Sequence, residues 1–219
     1  MKKRLVIGLI ALLLLSTYKI QNSFNFGSIV NIQNVKIENN KIIQKTLIKE
    51  KLIFLYNSNL FLLNKKLIKE KMEEIDLIKG YELKKVYPNK IKIKIFEKEP
   101  IAIIQNKKKR KFYTLEGDII NYFEHEKFNN LPLVFGDGKN FRIFHNNLKS
   151  INFPTNIIKS LYYFETKRWD LVTNKNQIIK LPIENYKASL KNFLILAKNK
   201  NFKKYKTFDY RINNQLILK

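Results

Sequence analysis

The chain has 219 residues with no cysteine, two histidines and six glycines. Without cysteine it has no disulfide framework, no thiolate-ligated zinc or iron–sulfur site and no thiol catalysis. The few glycines form neither a GxGxxG nor a GxxxxGKS/T loop. The formal charge is +25, but 38 of the 43 basic residues are Lys and only five are Arg, at positions 4, 110, 142, 168 and 211. Arg is the preferred fork for phosphate and guanine, and these lysines are spread along the whole chain amid abundant Asn and Ile. The excess therefore reads as AT-rich codon bias rather than a nucleic-acid surface. Hydrophobic residues make up 45% and charged residues 28%, enough apolar material to bury a core.

At the N-terminus, Lys2-Lys3-Arg4 precedes an uncharged apolar run from Leu5 to Tyr18, ended by Lys19. Spanning a bilayer takes about 20 residues, so the run is short and also resembles a signal-peptide core. Ser16-Thr17-Tyr18-Lys19-Ile20-Gln21 offers no small-x-small cleavage pattern. We therefore expect an uncleaved anchor over residues 5–20, with Lys19 snorkelling and Ile20 extending the buried stretch. The preceding positive charges keep residues 1–4 in the cytoplasm and send the rest out. Cleavage after the run is the alternative. Residues 21–28 read as a polar linker carrying Phe24 and Phe26.

Ile29 to Ile37 alternates as a strand. Asn39-Asn40 is a turn, and Ile43, Leu47, Ile48, Leu52 and Leu55 recur at helical spacing up to Asn57-Ser58-Asn59. Asn64 is a candidate cap for a second helix that carries Leu67, Ile68, Met72 and Ile75 on one face. A strand from Ile78 to Val86, the turn Tyr87-Pro88-Asn89-Lys90, and a strand with Ile91, Ile93 and Ile95 opposite Lys92 and Lys94 complete a β-α-α-β-β order. That is an α+β unit of two helices on a small sheet.

This order behind one anchor resembles a POTRA domain. Val86 to Ile104, with Glu97-Lys98-Glu99-Pro100-Ile101-Ala102 filling an E-K/R-x-P-x-A pattern, resembles the close of that domain in the FtsQ/DivIB family of bacterial cell-division proteins. Asn59 to Met72 looks like the family's entry into the second helix.

Beyond it, Lys107-Lys108-Lys109-Arg110 reads as a hairpin turn, with a phosphate patch as the lesser alternative. Phe112 to Thr114 and Ile119 to Tyr122 flank an acidic turn, Leu115-Glu116-Gly117-Asp118. Leu131 to Gly138 is a strand running into a turn. Ile157, Ile158, Leu161 and Tyr162 recur at helical spacing within Pro154 to Phe164, which predicts a helix. Trp169 to Thr173 and Ile178 to Leu181 form a third hairpin about Asn174–Gln177. Leu190, Phe193, Leu194 and Ala197 predict an amphipathic helix capped by Asn185. Thr207 to Arg211 and Gln215 to Leu218 are terminal strands about Asn213-Asn214. The expected second domain is a mainly antiparallel sheet with helices on one side.

The same family resemblance extends over these segments: the acidic-turn hairpin, Leu131 to Gly138, Lys167 to Pro182 with its Arg168-Trp169, and Phe208 to Arg211. The third hairpin turn reads Asn-Gln where the family has Asn-Gly, and Tyr210 stands for the usual Leu or Met; both suit a β-surface. The resemblance implies an anchor at 5–20, a linker at 21–28, a POTRA domain at 29–99 and a β domain at 100–219, hinged at Pro100 and Ala102. It implies a single-pass, non-enzymatic divisome scaffold of the bacterial inner membrane at the septum, N-terminus cytoplasmic and C-terminal domains periplasmic. FtsB and FtsL are the implied partners, docking on the terminal edge strand at Arg168, Ile212, Asn214 and Gln215. An exported POTRA protein of outer-membrane assembly or secretion is the alternative; the stretch after Pro100 is too short and too helical for the usual barrel.

Catalytic chemistry finds no support. Glu124-His125-Glu126 alternates sides on a strand and reads as a polar loop. His145 has no carboxylate or histidine partner at helical or hairpin spacing, and no serine has a nucleophile context. No cofactor, metal, nucleic acid or small-molecule substrate is expected. Trp169 reads as a buried sheet residue rather than an interface anchor. Asp209 and Arg211 share a face, open to a neighbouring strand or a partner. Leu216 and Leu218 share a parity and can pack inward.

Overall fold

The computed structural model describes residues 2–17, 30–107, 109–136, 138–212 and 215–219. By their contacts they form two units: Met1–Met72 with Tyr81–Ile95, and Glu73–Gly80 with Phe96–Lys219.

Helix α1 (Lys2–Thr17) is exposed over its described apolar side chains and has no polar face between Leu5 and Leu14. Sixteen residues rise about 24 Å, short of the ~30 Å hydrocarbon core. Among the described residues no helix is long and apolar enough to cross a membrane. Lys19, Ile20 and the expected 21–28 linker lie outside the described residues.

The first sheet is formed by β1 (Asn34–Glu38), β2 (Ile78–Val86) and β3 (Lys90–Glu97) in the order β1-β3-β2, with β1 parallel to β3. The alternation of β3 works as expected: Ile91, Ile93 and Ile95 are fully buried while Lys94 faces solvent. Helix α2 (Lys45–Lys51) continues through a 3-10 turn (Ile53–Leu55) and buries Ile48, Leu52 and Leu55. Asn57 ends it with φ 66°. Helix α3 (Lys65–Glu73) is capped as expected, the Leu67 N–H donating to Asn64 Oδ1 at 3.0 Å.

The second sheet has nine strands. In chain order they are β4 (Pro100–Asn106), β5 (Lys109–Thr114), β6 (Ile119–Asn121), β7 (Leu133–Phe135), β8 (Ile158–Tyr163), β9 (Trp169–Thr173), β10 (Ile178–Lys180), β11 (Thr207–Asp209) and β12 (Ile217–Leu218). Their order across the sheet is β12-β11-β10-β9-β8-β7-β4-β5-β6. Five of the eight pairings are antiparallel; β4–β7, β7–β8 and β10–β11 are parallel. The sheet is therefore mixed.

Two crossover helices account for two of the three parallel pairs, while β4 reaches β7 through β5, β6 and a 3-10 turn. Helix α4 (Gly138–Ser150) joins β7 to β8, and α5 (Tyr186–Lys198) joins β10 to β11. A parallel connection needs such a crossover, and right-handed crossovers running the same way along a sheet put their helices on one face. Phe141, Phe144 and Leu148 of α4 and Leu190 and Phe193 of α5 accordingly share one core with Val134, Leu161, Leu171, Ile179 and Phe208 of the strands.

Three expectations are corrected here. Ile158–Tyr163 is a strand, not a helix, preceded by a 3-10 turn at Thr155–Ile157. The helix lies earlier, as α4. Asn185 does precede α5, but at φ 57° and without a side-chain cap. Tyr210 is not on a β-surface: it is buried, and its hydroxyl donates to Asn192 Oδ1 at 2.9 Å.

Candidate functional site

The register across the second sheet sorts its residues into faces. Ile104, Val134, Leu161, Leu171, Ile179, Phe208 and Leu218 lie in one row, beneath the helices. The next row reads Phe135, Tyr162, Asp170, Lys180, Asp209 and Ile217 from β7 to β12, and points the opposite way. Phe135 and Tyr162 stack there, ring centroids 4.6 Å apart at 5°. Towards β12 the row becomes ionic.

Two arginines flank that ionic stretch. Arg168 Nε donates to Asp170 Oδ1 at 3.1 Å, and its guanidinium lies 4.6 Å over the Phe164 ring. Arg211 Nε donates to both oxygens of Asp209 at 2.9 and 3.0 Å, and its Nη2 donates to Oδ2 at 2.6 Å. Those bonds hold the Asp209 carboxyl below its ordinary range, against the opposing effect of burial. Asp209, the last residue of β11, and Arg211, two residues beyond it, thus satisfy each other. Trp169, between Arg168 and Asp170, faces the other way: it is buried against Phe144 and Tyr163, each 4.8 Å away.

The edge of this face is β12. Thr207 and Lys219 exchange both backbone bonds, N–H to O distances being 2.9 and 3.1 Å. In an antiparallel pair the neighbouring residue then turns its N–H and C=O away from the partner strand. For β12 that residue is Leu218, and two positions earlier Leu216. Their side chains pack against the core, so the inward reading of this pair holds. Ile217 between them is on the outer face, opposite Asp209.

Of the four residues expected to dock a partner, Ile212 is 52% exposed and Gln215 is exposed, in one turn closed by Gln215 N–H to Ile212 O at 3.2 Å. Arg168 is half-buried three strands away, near the β9 end of the same ionic row. Asn214 lies outside the described residues. Sequence reasoning left open what Asp209 and Arg211 contact and did not foresee the ionic row; strand parity alone cannot show which strands become neighbours.

Elsewhere, His125 Nδ1 accepts the Lys127 N–H at 3.2 Å and caps a 3-10 turn. His145 is buried between Tyr113 and Phe141, and burial pushes its imidazole below the usual range, with Lys149 adding to the effect. Among the described residues no group of three His, Cys, Asp or Glu is placed to hold a metal ion. Lys107 takes φ 51° just past the end of β4, but Lys109 and Arg110 already lie in β5, paired with Asn106 and Gln105, so the expected turn does not extend over the whole charge run, and Lys108 lies outside the described residues.

Comparison with known proteins then fixes the family. Residues 30–98 match the POTRA domain, FtsQ-type. Cell division protein FtsQ of Rickettsia bellii is 31% identical over 191 residues, covering 85% of this chain and 71% of that protein. The chain belongs to the FtsQ family. FtsQ of Rickettsia typhi is 29% identical over 210 residues, covering 94% of this chain and 77% of its own length. Among solved structures, the major extracytoplasmic domain of the cell division protein DivIB from Geobacillus stearothermophilus is 12% identical with a TM-score of 0.35, covering 48% of this chain and 96% of that one. The FtsQ family is one of cell-division proteins, and the POTRA match spans β1 to β3 with the helices between them.

Proposed function

We propose that this FtsQ-family chain is a single-pass, non-enzymatic scaffold of the division septum. In this reading residues 5–20 anchor it in the bacterial inner membrane with residues 1–4 in the cytoplasm. Residues 29–99 and 100–219 are the POTRA and β domains, meeting near Pro100 in the periplasm. The β domain docks FtsB- or FtsL-like proteins by adding an extended partner segment to β12.

The observation that carries the docking is the edge itself. Leu216 and Leu218 present backbone groups outward, at about 0.5–1.5 kcal/mol net per hydrogen bond, and Ile212, Gln215 and Ile217 offer side chains beside them. Lys203, Lys204, Lys206 and Lys219 surround the strand in sequence, which favours an acidic or neutral segment.

Deleting residues 212–219 from the membrane-embedded protein should abolish capture of an FtsB-like partner. Because Leu216 and Leu218 also pack inward, an Ile212→Lys/Gln215→Lys variant, with Trp169 fluorescence confirming an intact fold, should weaken capture too. Unchanged affinity in both refutes the edge mechanism. A mature N-terminus between positions 17 and 30 refutes the anchor, and normal septa on depletion refute the division role.

A further inference from the structure

The first unit carries an exposed aromatic and aliphatic cluster that no part of the docking account uses. Phe61 is 57% exposed, Leu62 82% and Tyr87 61%. Phe61 and Tyr87 stack with ring centroids 5.5 Å apart, so two separate loops build one patch. The Phe61 N–H donates to Asn59 Oδ1 at 2.8 Å and the Leu62 N–H to Asn59 O at 3.1 Å, a turn that holds both side chains out. Lys85 Nζ sits 5.9 Å over the Phe61 ring, and Lys65 and Lys90 are exposed on the flanks of the two loops.

Both loops are tied to the first described residues after α1. Leu60 N–H donates to Val30 O at 3.0 Å, Ile32 N–H to Ser58 O at 2.9 Å, and Gln33 N–H to Asn89 O at 2.9 Å. The patch therefore sits where the chain enters the domain from its apolar helix. Residues 18–29 separate the two; twelve residues span at most about 40 Å fully extended, so a bilayer holding α1 is within reach of the patch.

We propose that Phe61, Leu62 and Tyr87 are a second membrane contact, inserting into the interface of the anionic bilayer that holds α1 while Lys65, Lys85 and Lys90 lie at its phosphates. Aromatic and aliphatic tips ringed by lysine are the chemistry of an interfacial anchor, where the apolar part enters the acyl boundary and the cations meet the headgroups. The contact fixes how the first unit stands on the membrane. This inference rests on the reading of residues 5–20 as an anchor.

The natural chain has no cysteine, so single cysteines can be labelled cleanly. Leu62→Cys, Leu9→Cys and Ile143→Cys, each carrying an environment-sensitive fluorophore, are reconstituted as full chains in vesicles of phosphatidylethanolamine and phosphatidylglycerol. Ile143 is an exposed residue of α4 in the second unit. The expected result is a blue shift and quenching by bromine-labelled acyl chains at positions 9 and 62 and neither at 143, with the signal at 62 alone weakening in high salt. Quenching at 9 without quenching at 62 overturns the proposal and leaves the anchor standing. Quenching at 62 without 9 removes the anchor and overturns the proposal as a second contact beside it. Silence at both overturns both, and equal quenching at 62 and 143 marks non-specific adsorption and overturns the contact.

Discussion

Replacing Phe193 by Ala tests whether α5 holds the proposed docking edge in place. Phe193 and Phe208 are both fully buried and meet edge to face, ring centroids 5.0 Å apart at 87°. Phe208 in turn pairs with Ile179 on one side and Leu218 of β12 on the other. Truncating a buried Phe to Ala costs about 3–5 kcal/mol, of which the aromatic pair accounts for about 0.5–1.5. With a urea dependence of about 2 kcal/mol/M, the unfolding midpoint should fall by roughly 1.5–2.5 M. Trp169 is the only tryptophan and is buried in the same core, so its fluorescence reads this unit and not the first. Phe193→Leu, which refills most of the space, should recover more than half of the loss. Partner capture should fail at urea concentrations where the wild-type chain still binds. A midpoint shift worth less than about 1 kcal/mol would mean that α5 is not what supports β11, and the account of the edge would fail with it.

The remaining expectations concern a buried histidine and a cap. Burial lowers the His145 pKa, so the unfolded chain binds its proton more readily than the folded one. The stability this contributes is complete above about pH 6.5, the ordinary value, and is lost as pH falls through the lowered one. Thermal midpoints followed through Trp169 should drop across that window, and His145→Gln should flatten the drop; an unchanged slope refutes the assignment. Asn64→Ala should cost the first unit about 1 kcal/mol, because the Leu67 N–H loses its acceptor. Amide exchange in α3 should speed up while Trp169 unfolding stays put, and equal shifts in both would show that the two units do not unfold independently.

The first unit was readable where an element keeps a single period, although its first strand spans Asn34–Glu38 rather than Ile29 to Ile37. Ile91, Ile93 and Ile95 alternate with lysines on a strand with one solvated face, and Asn64 stands at a helix start with nothing competing for its carboxamide. The second unit misled where burial on both faces erased the period. In β8, Ile158 and Leu161 pack beneath the helices while Ser160 is buried on the opposite face, so the apolar positions also fit a helix. A short apolar run inside a parallel sheet carries that ambiguity in general. The true helix had a readable signal, Phe141, Phe144 and Leu148 at i, i+3 and i+7, but Gly138 at its start reads as the end of a turn after a strand. Exchanging the two assignments removed the β7–α4–β8 crossover from the reading, and with it the parallel pairing of β7 and β8.

The two edges of the large sheet differ in a way that favours β12 as the docking edge proposed above. Natural sheets blunt the edges they do not use. At the β6 edge, Asp76 accepts both the backbone N–H of Asn121 at 3.3 Å and its side-chain amide at 2.6 Å, so a donor that would template another strand is already occupied. On the neighbouring strand, Phe112 is covered by Tyr122, Phe123 and Phe128 of the segment that follows β6. At the β12 edge, among the described residues, the side chains next to Leu216 and Leu218 in sequence are Gln215, Ile217 and Lys219. The strong charges nearby are already matched: Asp170 by Arg168, and Asp209 by Arg211. A partner strand added there would meet Asp170 and Asp209 already paired, and would be read by backbone pairing, by apolar contact at Ile217 and by the charge of the nearby lysines. In the docking proposed above, the added strand would then be selected by its backbone and its alternation, with the nearby lysines favouring an acidic or neutral sequence rather than one fixed ionic partner.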